Sequence, residues 1–103
     1  MKKAEALKAI HSSKNLNERF EVAYDVLYHS PPISQDKMLM LYAFNKQAIY
    51  GNYKENTESG DVSNYIQTFK NNAWSQVSGL STDEAKQKYI DLTLKVIEED
   101  YKD

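Results

Sequence analysis

The glycines and prolines of this chain lie between stretches of helical periodicity, and their placement constrains the fold more than any other feature. Only three glycines and two prolines occur among the 103 residues. Pro31 and Pro32 separate the first two periodic stretches, Gly51 ends the second, and Gly79 ends the third. Because glycine and proline interrupt helices and here stand outside the periodic segments, the pattern predicts an all-α domain.

The first two predicted helices flank the proline pair. One runs over about Asn17–Tyr28, has Asn15 or Asn17 as its N-cap, and carries an apolar stripe at helical spacing. That stripe consists of Phe20, Ala23, Tyr24 and Leu27. The other begins after Ser34 and ends at Gly51. It is apolar on more than one side, so it offers both a core face and a ligand face.

The last two predicted helices follow a polar surface loop over residues 52–61. One runs over about Ser63–Val77, and its apolar residues recur every four positions. They are Tyr65, Phe69, Ala73 and Val77. The other begins with a capping box, in which the Ser81 hydroxyl and the Glu84 carboxylate accept hydrogen bonds from each other's backbone amides. We expect its charged end, Glu98–Asp103, to be frayed.

Length and composition indicate one domain. The 103 residues have room for a single core, and 41% hydrophobic with 27% charged residues is typical of a globular domain that folds without a metal. We divide the chain into an N-terminal extension over residues 1–14, with a short amphipathic turn or two, and a domain over residues 15–103. The absence of cysteine excludes a disulfide framework and a thiolate zinc site.

Several classes of function are disfavoured by the sequence. No apolar run approaches the ~20 residues that span a bilayer, so we expect a soluble, unprocessed, cytoplasmic protein. The net charge of −2 argues against general attraction to nucleic acid, and any phosphate site must therefore be a local arrangement. His11 has no His, Asp or Glu at metal-ligand spacing, and Asp25, four residues before His29, is more plausibly its partner on a helix surface. No nucleophile elbow, phosphate loop or HExxH motif occurs. We predict neither catalysis nor a metal.

Two lysines and their aromatic neighbours form the candidate site. Tyr42 and Lys46 are four residues apart and share a helix face. The ring offers a π-surface for a base, and the ammonium supplies three donors and a charge for phosphate. Lys70 and Trp74 have the same spacing. Taken alone, such pairs are more often solvated lysines packed over a ring.

The same residues resemble the signature of the acyl-CoA-binding protein family. In that signature a tyrosine is followed by a lysine four residues later, by Gln-Ala, and by a glycine that ends the helix. The matching residues here are Tyr42, Lys46, Gln47, Ala48 and Gly51. A lysine, a tryptophan four residues on, a Gly-Leu-Ser turn and a helical tyrosine then follow. They match Lys70, Trp74 and Tyr89, and the resemblance covers roughly Phe20–Tyr101.

The resemblance implies both a fold and a function. The fold would be an all-α four-helix bundle of the acyl-CoA-binding protein type with a short N-terminal extension. The protein would bind medium- to long-chain acyl-CoA esters and act as an intracellular carrier and pool former for them. It would not be an enzyme, and it would have no cofactor besides this ligand. Such a protein would be a monomer that makes transient contacts with acyl-CoA-using enzymes or membranes and none with nucleic acid.

The resemblance also implies which residues form the site. The acyl-CoA contacts would be Tyr42, Ala43, Phe44, Asn45, Lys46, Lys70 and Tyr89. Within this set, Tyr42, Lys46 and Lys70 would hold the nucleotide and its 3′-phosphate. A weaker set would form an apolar groove or rim for the acyl chain. Its members are Phe20, Ala23, Tyr24, Leu27 and Tyr28.

Three positions depart from the usual pattern of that family. Asn45 stands where a second tyrosine is usual, Asn71 where a tryptophan is usual, and Tyr28 near a position often occupied by lysine. These changes remove two aromatic surfaces and one charge. Lys54 in the following loop could compensate for the missing charge. They leave open an alternative function, that of a degenerate helical protein-interaction module with weak or no ligand binding.

Overall fold

Helices make up most of the chain. The structure, a computed structural model, describes residues 2–54 and 65–101, with the side chains of residues 65 and 66 left aside. The helices are α1 Lys3–His11, α2 Leu16–Tyr28, α3 Gln35–Tyr50, α4 Tyr65–Gln76 and α5 Thr82–Asp100. No strand occurs within these described ranges, so the all-α prediction is confirmed for them. The four predicted main helices correspond to α2 through α5.

Local capping chemistry sets the helix starts. The Asn15 side chain accepts a hydrogen bond from the Glu18 amide at 2.8 Å, which begins α2. Ser34 caps α3 in the same way, through the Lys37 amide at 3.4 Å. The predicted capping box is present at α5, where the Ser81 amide donates to the Glu84 carboxylate at 3.1 Å and so lowers the pKa of that carboxyl.

The C-terminal end of α5 is ordered by contacts with distant residues, and the predicted fraying of Glu98–Asp103 is wrong as far as Tyr101. Tyr101 is buried, and its hydroxyl donates to the Val26 carbonyl oxygen at 2.7 Å. The Lys37 ammonium lies 2.8 Å from Glu99 and 2.9 Å from Asp100, and these hydrogen bonds raise the pKa of Lys37. Residues 102 and 103 lie outside the described part.

The N-terminal segment is more helical than the predicted turn or two. Its nine residues from Lys3 to His11 form α1, which packs against α2 and α5. Ala6 and Ile10 are completely buried in this contact. They lie four residues apart on one helix face, so α1 contributes directly to the hydrophobic core.

The core consists of two clusters on different sides of α3. The main cluster joins α1, α2, α3 and α5 and includes Ile10, Phe20, Val26, Leu41, Tyr89, Ile90 and Ile97. The second lies between α3 and α4 and contains Ala43, Ala73 and Val77. Phe69 belongs by its spacing to the same stripe as Ala73 and Val77, but its side chain is 55% exposed and lies outside this cluster. The predicted loop over residues 52–61 lies mostly outside the described residues.

Helix α3 therefore occupies the centre of the fold. It contacts α4 through one face and α5 through another. Its remaining face is free to line a cavity, which agrees with the predicted presence of both a core face and a ligand face on this helix. Among the described residues, no helix is sufficiently long and apolar to cross a bilayer.

Candidate functional site

A cavity of about 500 Å³ lies between α2, the proline-containing link, α3 and α5. This volume falls in the range of ~300–1,000 Å³ that is usual for small-ligand sites. Its wall is mainly apolar on the side formed by α2 and the link, where Tyr24, Leu27, Pro31, Pro32 and Ile33 lie. Helix α3 contributes Met38, Leu41, Tyr42, Asn45 and Lys46, and α5 contributes Tyr89. The cavity is thus apolar at one end and bordered by a cation at the other.

Two ammonium groups approach the ring of Tyr42 at this border. The Nζ atom of Lys46, one helical turn along α3, lies 5.6 Å from the ring centroid. The Nζ atom of Lys70, on α4, lies 5.2 Å from the same centroid. Both distances are within the ~6 Å at which a ring attracts a cation. Among the described residues, no carboxylate forms an ion pair with either lysine.

The arrangement favours an anion at the border. Two like charges brought to one ring repel each other, and an anionic group between them relieves that repulsion while gaining charge-assisted hydrogen bonds. A ligand with a phosphate next to an apolar tail would satisfy both the lysines and the cavity.

Tyr89 forms part of the cavity wall and remains uncharged. Its side chain is almost fully buried, and its ring meets that of Phe20 edge to face at a centroid distance of 4.9 Å. Burial, with a smaller contribution from Tyr24, raises the pKa of the Tyr89 phenol well above its usual range. The hydroxyl therefore keeps its proton at neutral pH and can donate or accept a hydrogen bond.

Comparison with known proteins agrees with this chemistry. The sequence model of the family described as "Acyl CoA binding protein" matches residues 17–93, which include both lysines, Tyr42 and Tyr89. The chain belongs to this family. "Acyl-CoA-binding protein homolog 3" of Caenorhabditis elegans is 33% identical over 94 residues, which cover 82% of this chain and 79% of the relative. No solved structure matches the chain. The resemblance drawn from the motifs is confirmed.

The fold brings together about half of the residues that the family resemblance implied. Tyr42, Asn45, Lys46 and Tyr89 line the cavity, as do Tyr24 and Leu27 from the weaker set. Lys70 is not part of the wall, but its ammonium reaches the Tyr42 ring from α4.

The remaining implied residues lie away from the cavity wall. Ala43 is completely buried against Ala73 and Val77, on the face of α3 that meets α4. Phe44 packs against both core clusters, and Phe20 and Ala23 lie within the main one. Tyr28 is 78% exposed at the end of α2, where its ring meets that of His29.

Several wall residues were missed by the sequence reasoning. Pro31 and Pro32 were interpreted only as a helix stop, whereas here they form one side of the cavity with Ile33. Met38 lies four residues before Tyr42 and therefore on the same helix face, so its spacing could have identified it. The link residues had no such periodic signal.

The other signature residues of the family stabilise the end of α3. Gln47 is buried and donates hydrogen bonds to the Asn52 side chain and the Leu80 carbonyl, each at 2.8 Å. Trp74 donates to the Gly51 carbonyl at 2.9 Å and to the Gln47 side chain at 3.2 Å. Gly51 has φ +79°, which favours glycine at this helix end. These bonds tie α3 to α4 and to the turn before α5.

The described residues do not form a metal site. Within residues 2–54 and 65–101, no three His, Asp or Glu side chains are close enough together to hold a metal ion.

Proposed function

We propose that this protein binds medium- to long-chain acyl-CoA esters and serves as a cytoplasmic carrier and pool former for them. The observation that carries the proposal is the approach of the Lys46 and Lys70 ammonium groups to the Tyr42 ring, at the border of an apolar cavity, in a chain of the acyl-CoA-binding protein family. We also infer that α2 to α5 are the family's four-helix bundle, with α1 as an N-terminal extension.

The nucleotide end of the ligand would lie at the two lysines. Their ammonium groups would hold the 3′-phosphate, and the Tyr42 ring would contact the adenine. A charge-assisted hydrogen bond contributes roughly 1.5–3 kcal/mol, and less where solvent reaches it. Lys46 and Lys70 are only partly exposed, so some of this strength would be retained.

The acyl chain would lie in the cavity. Tyr24, Leu27, Ile33, Met38 and Leu41 offer it an apolar surface. Each buried methylene contributes ~0.8 kcal/mol, so two further carbons should tighten binding about tenfold until the cavity is full. Burial of the tail and retention of the phosphate are sufficient for sequestration, and we therefore propose a carrier without catalytic activity.

A calorimetric titration tests the proposal. Palmitoyl-CoA, free CoA and palmitate would each be titrated into the wild type, the Lys46→Ala variant and a Lys95→Ala control. Lys95 is an exposed lysine on α5 that does not line the cavity. We expect one-to-one binding that is tight only for the ester, weakened by Lys46→Ala and by salt, and unchanged by Lys95→Ala. No heat from any of the three ligands with the wild type would refute the proposal.

A degenerate protein-interaction module is the second candidate. It is favoured by one observation, the 55% exposure of the Phe69 ring beside a groove between α3 and α4. In that case the wild type would bind none of the three ligands in the same titration.

A further inference from the structure

The ring of Tyr50 lies beside the Lys46 ammonium, which also approaches the ring of Tyr42. The Lys46 Nζ atom is 4.8 Å from the Tyr50 centroid and 5.6 Å from the Tyr42 centroid. Tyr42, Lys46 and Tyr50 recur every four residues along α3, so all three lie on adjoining parts of one helix face. The ammonium is therefore within cation–π distance of two aromatic rings.

Tyr50 is exposed, and yet its position is supported. Its side chain is 66% exposed. Behind it lies Trp74, with a ring centroid 6.1 Å away and a tilt of 48°. Trp74 is itself fixed by hydrogen bonds to Gly51 and Gln47. A ring that is supported on one side and open to solvent elsewhere is well suited to contact a planar ligand group.

The cavity gives the direction in which such a ligand would run. On α3 its wall extends from Met38 to Lys46 and stops there, one turn before Tyr50. A ligand with its tail in the cavity and a phosphate at Lys46 would leave the cavity at that lysine. When Lys46 holds the 3′-phosphate, the ribose that carries this phosphate also carries the adenine, so the base would lie close to the lysine and within reach of the surface where Tyr50 lies.

We propose that Tyr50 is a further ligand-contact residue, whose ring stacks against the adenine when Lys46 holds a phosphate of the acyl-CoA. This inference rests on the proposed function and adds a residue to it. The Tyr50 ring would thereby strengthen binding of the nucleotide end of the ligand. Binding of the acyl end would not depend on it.

Three variants and two ligands test this role. Tyr50→Leu removes the ring, Tyr50→Phe keeps it, and Tyr53→Leu is the matched control, because the Tyr53 ring also packs on Trp74, at 5.3 Å. Palmitoyl-CoA carries the nucleotide, whereas palmitoyl-pantetheine lacks it. We expect Tyr50→Leu to bind palmitoyl-CoA roughly 5- to 150-fold more weakly, the range of one lost base–aromatic stack. Its affinity for palmitoyl-pantetheine should equal that of the wild type.

The controls separate the possible causes. Tyr50→Phe and Tyr53→Leu should bind palmitoyl-CoA as the wild type does. Stacking by Tyr50 is refuted, while the proposed function stands, if Tyr50→Leu binds palmitoyl-CoA as tightly as the wild type does. The same holds if Tyr50→Leu loses affinity for both ligands alike, or if Tyr53→Leu loses as much affinity for palmitoyl-CoA as Tyr50→Leu does. If the wild type binds no ester, the proposed function itself fails. Should Tyr50→Leu not fold, Tyr50→Gln removes the same ring with a good helix former.

Discussion

The Nζ atom of Lys70 lies 5.2 Å from the centroid of the Tyr42 ring, although the two residues belong to different helices. Tyr42 also receives the ammonium of Lys46, from its own helix. The site is therefore completed only when α4 packs against α3. The second core cluster, in which Ala43 meets Ala73 and Val77, sets the distance between the two lysines.

Joint action of the two lysines on one phosphate can be measured by a double-mutant cycle. We expect Lys46→Ala and Lys70→Ala each to weaken palmitoyl-CoA binding roughly tenfold, since each removes one solvent-screened charge-assisted contact. The loss of binding free energy in the double variant should differ from the sum of the two single losses by at least ~0.5 kcal/mol, because neighbouring groups that share a partner are coupled. Calorimetry at two salt concentrations would give all four affinities. Strict additivity would indicate that the lysines hold separate groups.

Stability should fall in alkaline solution because of two buried phenols. Burial raises the pKa of Tyr89 and of Tyr101 above the ordinary 10.0. Above that pH the unfolded chain loses these protons before the folded one does, so the free energy of unfolding decreases as the pH rises. Below it, the contribution is fully present. Urea denaturation from pH 8 upward should reveal the decline.

Tyr89→Phe tests the origin of that decline. It removes the titrating hydroxyl and keeps the ring that meets Phe20, so the loss of stability with pH should be shallower. Tyr28→Phe, which removes the hydroxyl of a 78% exposed side chain, is the control. Equal slopes for wild type and Tyr89→Phe would show that Tyr89 does not cause the effect.

The Gln47 side chain should be important for stability. It is 1% exposed and bonds to Asn52, Leu80 and Trp74. We expect Gln47→Leu to lower the free energy of unfolding by about 2 kcal/mol, because it removes three part-buried hydrogen bonds of a buried side chain. The emission of Trp74, the single tryptophan, should follow the urea transition. The control is Gln87→Leu, at an exposed position on α5, which should change stability little. If Gln87→Leu lowered the free energy of unfolding as much as Gln47→Leu, the hydrogen bonds of Gln47 would not be the cause.

The Tyr101 hydroxyl should anchor the end of α5. Its bond to the Val26 carbonyl oxygen is buried and 2.7 Å long. Tyr101→Phe should lower the free energy of unfolding by about 1 kcal/mol, the usual net contribution of one such hydrogen bond. Amide hydrogen exchange near Asp100 should also become faster, because the last turn would open more easily. Unchanged exchange would mean that the ion pairs of Lys37 hold this end without Tyr101.

Local chemistry made several helix ends predictable, and distant contacts made others unpredictable. The caps at Ser34 and Ser81 depend on residues three positions away, which a sequence displays directly. The order of Asp100 and Tyr101 depends on Lys37 and Val26, which are 63 and 75 residues away. No pattern near the C-terminal end of α5 indicates those partners.

The candidate site was predictable to a similar extent. Helical spacing alone places Tyr42 and Lys46 on one face, and the family resemblance adds Lys70 and Tyr89. Spacing also suggested that Lys70 packs over Trp74, whereas its ammonium lies over Tyr42. That contact requires the packing of α4 on α3, which the order of residues does not reveal.

The central position of α3 also bears on how this sequence can change. Every residue from Leu39 to Ala48 is buried or half-buried, because α4 and α5 pack against the helix and part of its remaining face lines the cavity. A substitution there that suits one neighbour will often disturb another. In a comprehensive substitution screen, this ten-residue stretch should tolerate the fewest replacements, and acyl-CoA selectivity should evolve more readily through α2 and the proline link than through α3 itself.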